Sequence, residues 1–163
     1  MEYVPFSFEE AEFALSSIAR SIQESGFHPD TIVGISRGGL VPARLLSDLL
    51  DVRDVRILIV SFYDSPGKTL REPQIPYPLP GGIRGKNVLL VDDISDTGSS
   101  MKAAMEHLLS LSPKSIKGAS IHLKETSSFT PDFFFAKSTK WIVYPWEKEE
   151  FKRDTGLNPE EKK

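Results

Sequence analysis

Val88-Leu89-Leu90-Val91-Asp92-Asp93-Ile94-Ser95-Asp96-Thr97-Gly98-Ser99-Ser100 is the stretch on which the fold turns. Four apolar residues in a row, with no alternation, read as a strand buried on both faces, the kind found in parallel sheets. Three carboxylates follow within five residues, and Thr97-Gly98-Ser99-Ser100 then opens a helical stretch that runs from Gly98 to Leu111. In open parallel sheets ligands collect outside the carboxyl ends of the strands, which is where Asp92, Asp93 and Asp96 fall. Carboxylates are costly to leave facing a core, so these are expected to emerge toward water, a cation or sugar hydroxyls. The hydroxyls, the glycine and the N–H groups that a helix leaves unpaired at its start form a site for a phosphate. A hydroxyl-rich, metal-associated group beside a phosphate satisfies both halves, and ribose phosphate is such a group. Capping a helix needs one Asp or Ser, so capping alone does not account for three acids.

Outward from this run, the flanking chain repeats the same grammar. Ser7-Phe8-Glu9-Glu10 is a capping box, and Phe8, Ala11, Leu15, Ile18, Ala19 and Ile22 recur at helical spacing behind it. Thr31 to Ile35 is a second apolar strand, Ser36-Arg37-Gly38-Gly39 a turn, and Val41 to Leu50 a helix with Pro42 at its entrance. Arg56 to Phe62, Asn87 to Val91 and Ser115 to Leu123 read as further strands. Tyr63 to Gly82 holds five of the chain's twelve prolines, shows neither period, and is expected as a long loop of the lid-forming kind, with Lys68 and Arg71 in it. Phe133-Phe134-Phe135 and Trp141-Ile142-Val143-Tyr144 are short apolar segments. The order predicts an α/β fold: an open, mostly parallel twisted sheet flanked by helices. Residues 1–147 are expected as one domain and 148–163 as a charged tail, either a solvated helix or a frayed end.

Composition narrows the class. The 163 residues are 39% hydrophobic and 26% charged, ordinary for one globular domain. No apolar run is long enough to span a bilayer, and the first residues lack the basic-then-apolar order of a signal peptide, so a cytoplasmic protein without membrane contact is expected. The absence of cysteine excludes thiolate metal sites and thiol nucleophiles. A net charge of −3 argues against a nucleic-acid partner. His28, His107 and His122 have no metal-ligand spacing and read as surface or packing residues.

Val88 to Ser100 resembles, position by position, the phosphoribosyl diphosphate (PRPP) motif of the type I phosphoribosyltransferases. The resemblance implies that Asp92 and Asp93 approach the ribose hydroxyls, at least one through Mg²⁺, and that Asp96, Thr97, Gly98, Ser99 and Ser100 wrap the 5′-phosphate end of the ligand. It also implies that Asp96 is the base that takes a proton from purine N7 as N9 attacks the sugar. Gly34 to Pro42 resembles the pyrophosphate loop of the xanthine-guanine members. That likeness implies pyrophosphate held by Ser36, Arg37, Gly38 and Gly39, with a cis Ser36–Arg37 peptide.

Lys124 ends a strand with a point charge that can only donate, which suits a carbonyl at purine position 6 and disfavours an amino group. Trp141 to Glu147 resembles the purine-binding stretch of the 6-oxopurine enzymes. That implies Trp141 stacking on the base, main-chain groups near Ile142 at its C2 edge, and a small base-binding hood; Trp146 reads as a core residue. The activity so implied transfers phosphoribose from PRPP to guanine, xanthine or hypoxanthine, giving the nucleoside monophosphate and pyrophosphate, in a homodimer or homotetramer. Two alternatives stay open: a regulator that binds PRPP or nucleotides without turnover, and an enzyme for adenine or a pyrimidine.

Overall fold

The capping box at the start of the chain is formed as its residues require. In the computed structural model, which describes residues 2–63 and 72–160, the Ser7 hydroxyl accepts from the Glu10 N–H at 3.1 Å and the Glu10 carboxylate accepts from the Ser7 N–H at 2.7 Å. Helix α1 (Phe8–Glu24) follows, burying Ala11, Ala14, Leu15, Ile18, Ala19 and Ile22 along one stripe. A short strand β1 (Tyr3–Pro5) precedes it. After it come β2 (Thr31–Ser36), α2 (Leu40–Leu49), β3 (Val55–Ile59), β4 (Ser61–Tyr63), β5 (Glu72–Gln74), β6 (Asn87–Ser95), α3 (Ser99–Ser110), β7 (Ser115–Lys124), β8 (Phe133–Ser138), β9 (Trp141–Val143) and α4 (Lys148–Thr155).

The central sheet runs β3-β2-β6-β7-β8, every neighbouring pair parallel. Side chains alternate across it, so consecutive residues of β6 enter different cores. Leu89 and Val91 pack with Ile32, Ala43 and Leu46 beneath α1 and α2. Val88 and Leu90 pack with Val33, Leu58, Met101, Ala104 and Leu108 beneath α3. The predicted α/β architecture is the one found.

Three features differ from the sequence expectation. Strand β6 does not stop at Val91. Its ladder with β2 ends there, at Gly34↔Val91, but its ladder with β7 continues through Asp92↔Ser120 to Ser95↔Leu123. The stretch expected as a loop from Tyr63 onward contributes to a two-stranded antiparallel ribbon, β4 with β5, in which Phe62 pairs with Pro73. Proline removes a ladder donor but is tolerated on an edge strand, which is why the composition concealed it. Farther on, Leu79 and Ile83 are buried against α3, and the Leu79 N–H donates to His107 Nε2 at 3.0 Å. Lys68 and Arg71, and with them the middle of the expected lid, lie outside the described residues. Beyond Glu147, α4 carries a buried Phe151 whose ring meets Tyr3 and Trp141 at centroid distances of 4.9 and 6.3 Å. Among the described residues no helix is long and apolar enough to cross a membrane.

Candidate active site

At the carboxyl ends of β2 and β6 lies a cavity of about 720 Å³. Asp92, Asp93, Asp96 and the turn Thr97 to Ser100 form one wall, Ser36 and Gly38 another, and Val60, just before β4, and Phe62 of the ribbon also line it. The turn into α3 depends on Gly98, whose φ is +82° and where a Cβ would lie 2.5 Å from the Phe129 N–H nitrogen. Gly98 offers no side-chain cap, so the first turn of α3 presents its N–H groups to the cavity. Thr97 is braced from behind: the Ser128 N–H and hydroxyl both donate to its carbonyl at 2.9 Å. That brace, from the connection between β7 and β8, carries no signal in the sequence.

Of water, a cation or sugar hydroxyls, the destinations expected for Asp92 and Asp93, open water is not the one found, although both line the cavity. They are 8% and 5% exposed, because β6 continues in the sheet and the Ser36 to Gly39 turn closes over its free edge. Burial, and for Asp92 the neighbouring Asp93 charge as well, hold both carboxyls above the ordinary carboxylate range. Asp92 Oδ1 accepts from the Asp93 N–H at 3.0 Å, and Asp93 Oδ2 accepts from the indole N–H of Trp146 at 3.1 Å, which pulls Asp93 back toward ionisation. Trp146 is therefore not the plain core residue expected. Two buried, adjacent carboxylates at a cavity floor are suited to a divalent cation, which would offset the charge that burial opposes. Among the described residues no group of three or more acid or imidazole side chains forms an all-protein metal cage. The donor set fits Mg²⁺, which commonly takes one or two carboxylates and completes its octahedron with water and substrate oxygens.

The turn Ser36 to Gly39 stands beside this wall, and its Ser36–Arg37 peptide is cis. Gly38 is packed so closely that a Cβ there would sit 2.5 Å from Asp93 Oδ1. Arg37, 74% exposed, does not reach into the cavity: its Nη2 contacts both carboxylate oxygens of Glu150 on α4, at 2.6 and 2.7 Å.

A second, smaller cavity of about 190 Å³ adjoins the first. Lys124, Trp141, Ile142 and Tyr144 line it together with Ile94, Asp96 and Glu147. The structure thus brings Lys124, Trp141 and Ile142 together, although 17 residues separate Lys124 from Trp141. Trp141 keeps half its surface exposed, and the Lys124 ammonium donates to the Lys140 carbonyl at the mouth. Glu147, a residue without an expected role, accepts from the Tyr144 N–H at 3.2 Å, and burial pushes its carboxyl up to about 7.

Asp96, Ile94 and Glu147 line both cavities. A carboxylate on the shared wall of a hydroxyl-and-acid chamber and an aromatic-and-ammonium chamber is placed to act between two ligands. Residues 7–152 match the profile of the phosphoribosyl transferase domain. The chain belongs to the phosphoribosyltransferase family. It is 34% identical over 143 residues to a xanthine-guanine phosphoribosyltransferase of Idiomarina loihiensis, covering 86% of this chain and 84% of that one. Among solved structures, a purine phosphoribosyltransferase from Pyrococcus horikoshii superposes with a TM-score of 0.82 at 35% identity, over 90% of this phosphoribosyltransferase and 95% of its counterpart. The xanthine-guanine-hypoxanthine phosphoribosyltransferase of Helicobacter pylori shares the fold, with a TM-score of 0.78 at 21% identity over 94% and 99% of the two chains.

Proposed function

We propose that this chain is a purine-salvage enzyme that transfers the 5-phosphoribosyl group of PRPP to N9 of a 6-oxopurine: guanine, xanthine or hypoxanthine. The observation that carries the reading is the shared wall. Asp96 borders both the chamber suited to phosphoribose and the pocket bearing Lys124 and Trp141. The similarity to xanthine-guanine and purine phosphoribosyltransferases supports the same substrate class.

In this reading the first turn of α3, with Thr97, Ser99 and Ser100, holds the 5′-phosphate by N–H and O–H donors. Asp92 and Asp93 hold the ribose hydroxyls, and they would also hold Mg²⁺, which when bound would supply positive charge against the pyrophosphate leaving group. Ser36, Gly38, Gly39 and the Arg37 guanidinium receive that pyrophosphate, Arg37 leaving Glu150 to do so. The bond from sugar C1 to pyrophosphate oxygen breaks with its electron pair on the oxygen, the purine N9 lone pair forms the new bond to C1, and the N7 proton passes to the Asp96 carboxylate. Trp141 stacks on the base, main-chain groups near Ile142 meet its C2 edge, and Lys124 donates to O6. A cytoplasmic homodimer or homotetramer is the setting we assign; a monomer in sedimentation velocity would overturn that assembly.

The test is to incubate the protein with PRPP, Mg²⁺ and each nucleobase in turn and to measure nucleotide and pyrophosphate. Product with the oxopurines, lost on chelation of Mg²⁺, is the expected result. No product with any base overturns the enzyme, and turnover of adenine alone overturns the base assignment.

A further inference from the structure

Asp93 is gripped at two places by aromatic side chains from the far end of the chain. Its carboxylate accepts from the Trp146 indole N–H at 3.1 Å, and its main-chain carbonyl accepts from the Tyr144 hydroxyl at 3.0 Å. The two rings lie parallel within 7°, centroids 4.9 Å apart. Behind them His122 Nδ1 is 2.8 Å from the Tyr144 hydroxyl. That hydroxyl gives its single proton to the Asp93 carbonyl, so the imidazole must donate from Nδ1 to complete the pair. Gly38 crowds the same carboxylate. An aspartate carboxylate with no fixed donor turns freely about its two side-chain torsions, and a metal or a pair of hydroxyls binds only one orientation well.

We propose that Trp146 and Tyr144 are positioning residues for Asp93, Trp146 by donating to its carboxylate and Tyr144 by tying down its main chain while stacking on the indole, and that together they set the affinity for PRPP with Mg²⁺. The proposal rests on the assignment of Asp93 to that ligand pair above. It also gives the run Trp141 to Glu147 two tasks. Its first residues line the base pocket, and its later ones reach through to the phosphoribosyl wall.

Trp146→Phe keeps an aromatic ring for stacking and removes the N–H. The expected result is a rise of about 10-fold in both the PRPP KM and the Mg²⁺ concentration for half-activation, with kcat falling far less. Calorimetric binding of PRPP in Mg²⁺, without any base, should weaken by the same factor. Tyr144→Phe, which removes only the hydroxyl, should weaken it in the same direction by a smaller factor, and it carries the test if Trp146→Phe does not fold. Phe8→Ala, which removes a ring packed 6.3 Å from Trp146, should lower the Tm without moving PRPP affinity. The proposal is overturned if the folded Phe variants bind PRPP and Mg²⁺ as the unaltered protein does. It is overturned equally if Phe8→Ala weakens binding as much as Trp146→Phe, because packing alone would then explain both. An unaltered protein that binds PRPP but turns over no base would sink the enzyme reading while leaving these binding measurements to decide the role of Trp146.

Discussion

The two halves of the cleft are built by different means. The half we assign to phosphoribose is made mostly by one unbroken run, Asp92 to Ser100, at the point where a central strand becomes a helix. The half we assign to the base is assembled from residues of separate strands, Lys124 at the end of β7 and Trp141 and Ile142 on β9. The first half sits where the sheet is central and buried. The second joins the end of β7 to β9, which pairs with β1 in a separate two-stranded sheet and leaves Trp141 half exposed. A half built from one contiguous run stands or falls as a unit; a half built from residues of separate strands can be retuned one residue at a time.

The largest effect should come from Asp96, one of the three residues the halves share. Asp96→Asn is expected to lower kcat about 100-fold or more while changing PRPP affinity little, since it removes proton acceptance and keeps the shape of the wall. Rapid-quench turnover alongside calorimetric PRPP binding checks this, and equal losses in both would reduce Asp96 to a binding residue. Next in size, Lys124→Met should raise the KM for a 6-oxopurine by about 10-fold or more, the range of one charge-assisted hydrogen bond, and leave the PRPP KM near its starting value. A rise in both KM values would mean that the halves are not separable as described.

These two substitutions also mark what could be read from the sequence and what could not. Asp92 to Ser100 was legible because one contiguous stretch carries strand, acids, glycine and helix start in order. The burial of Asp92 and Asp93 was not, because the apolar run ends at Val91 while the ladder with β7 goes on to Ser95. Lys124 and Trp141 were reached by likeness to a family, since no spacing rule joins the end of one strand to another. Tyr144 and Trp146 look like any core aromatics until the chain is folded: they meet Asp93 across 51 and 53 residues. Glu150 is farther still from its partner Arg37, at 113 residues, and a charged stretch near the end of a chain reads as solvated surface. The ribbon arm was hidden by its prolines.

A third way to test the contrast uses pH. Burial lowers His122 to about 4, against an ordinary value of 6.5 in the unfolded chain. Between those values the unfolded chain binds the extra proton, so the contribution of the neutral imidazole is full above about pH 6.5 and is lost as pH falls toward 4. Thermal melts should show His122→Asn less sensitive to acid over that window, by of the order of 1 kcal/mol after allowing for partial solvent access. Parallel pH curves for the two proteins would remove His122 from the network. The smallest effect belongs to Glu150→Gln, which frees the Arg37 guanidinium. It should lower the PRPP KM by no more than about fivefold, the scale of an exposed ion pair, and a higher KM would make Glu150 a support for Arg37 rather than a competitor with pyrophosphate.

The bare α-carbon at Gly38 has a meaning for anyone who would rebuild this protein. The volume a side chain would need there is already taken by the Asp93 carboxylate, so a turn and a strand end more than 50 residues apart in sequence share one piece of space. They form a single unit of exchange. A library that randomises position 38 alone will return little but glycine, and a chimaera that imports one loop from a relative must import the other with it.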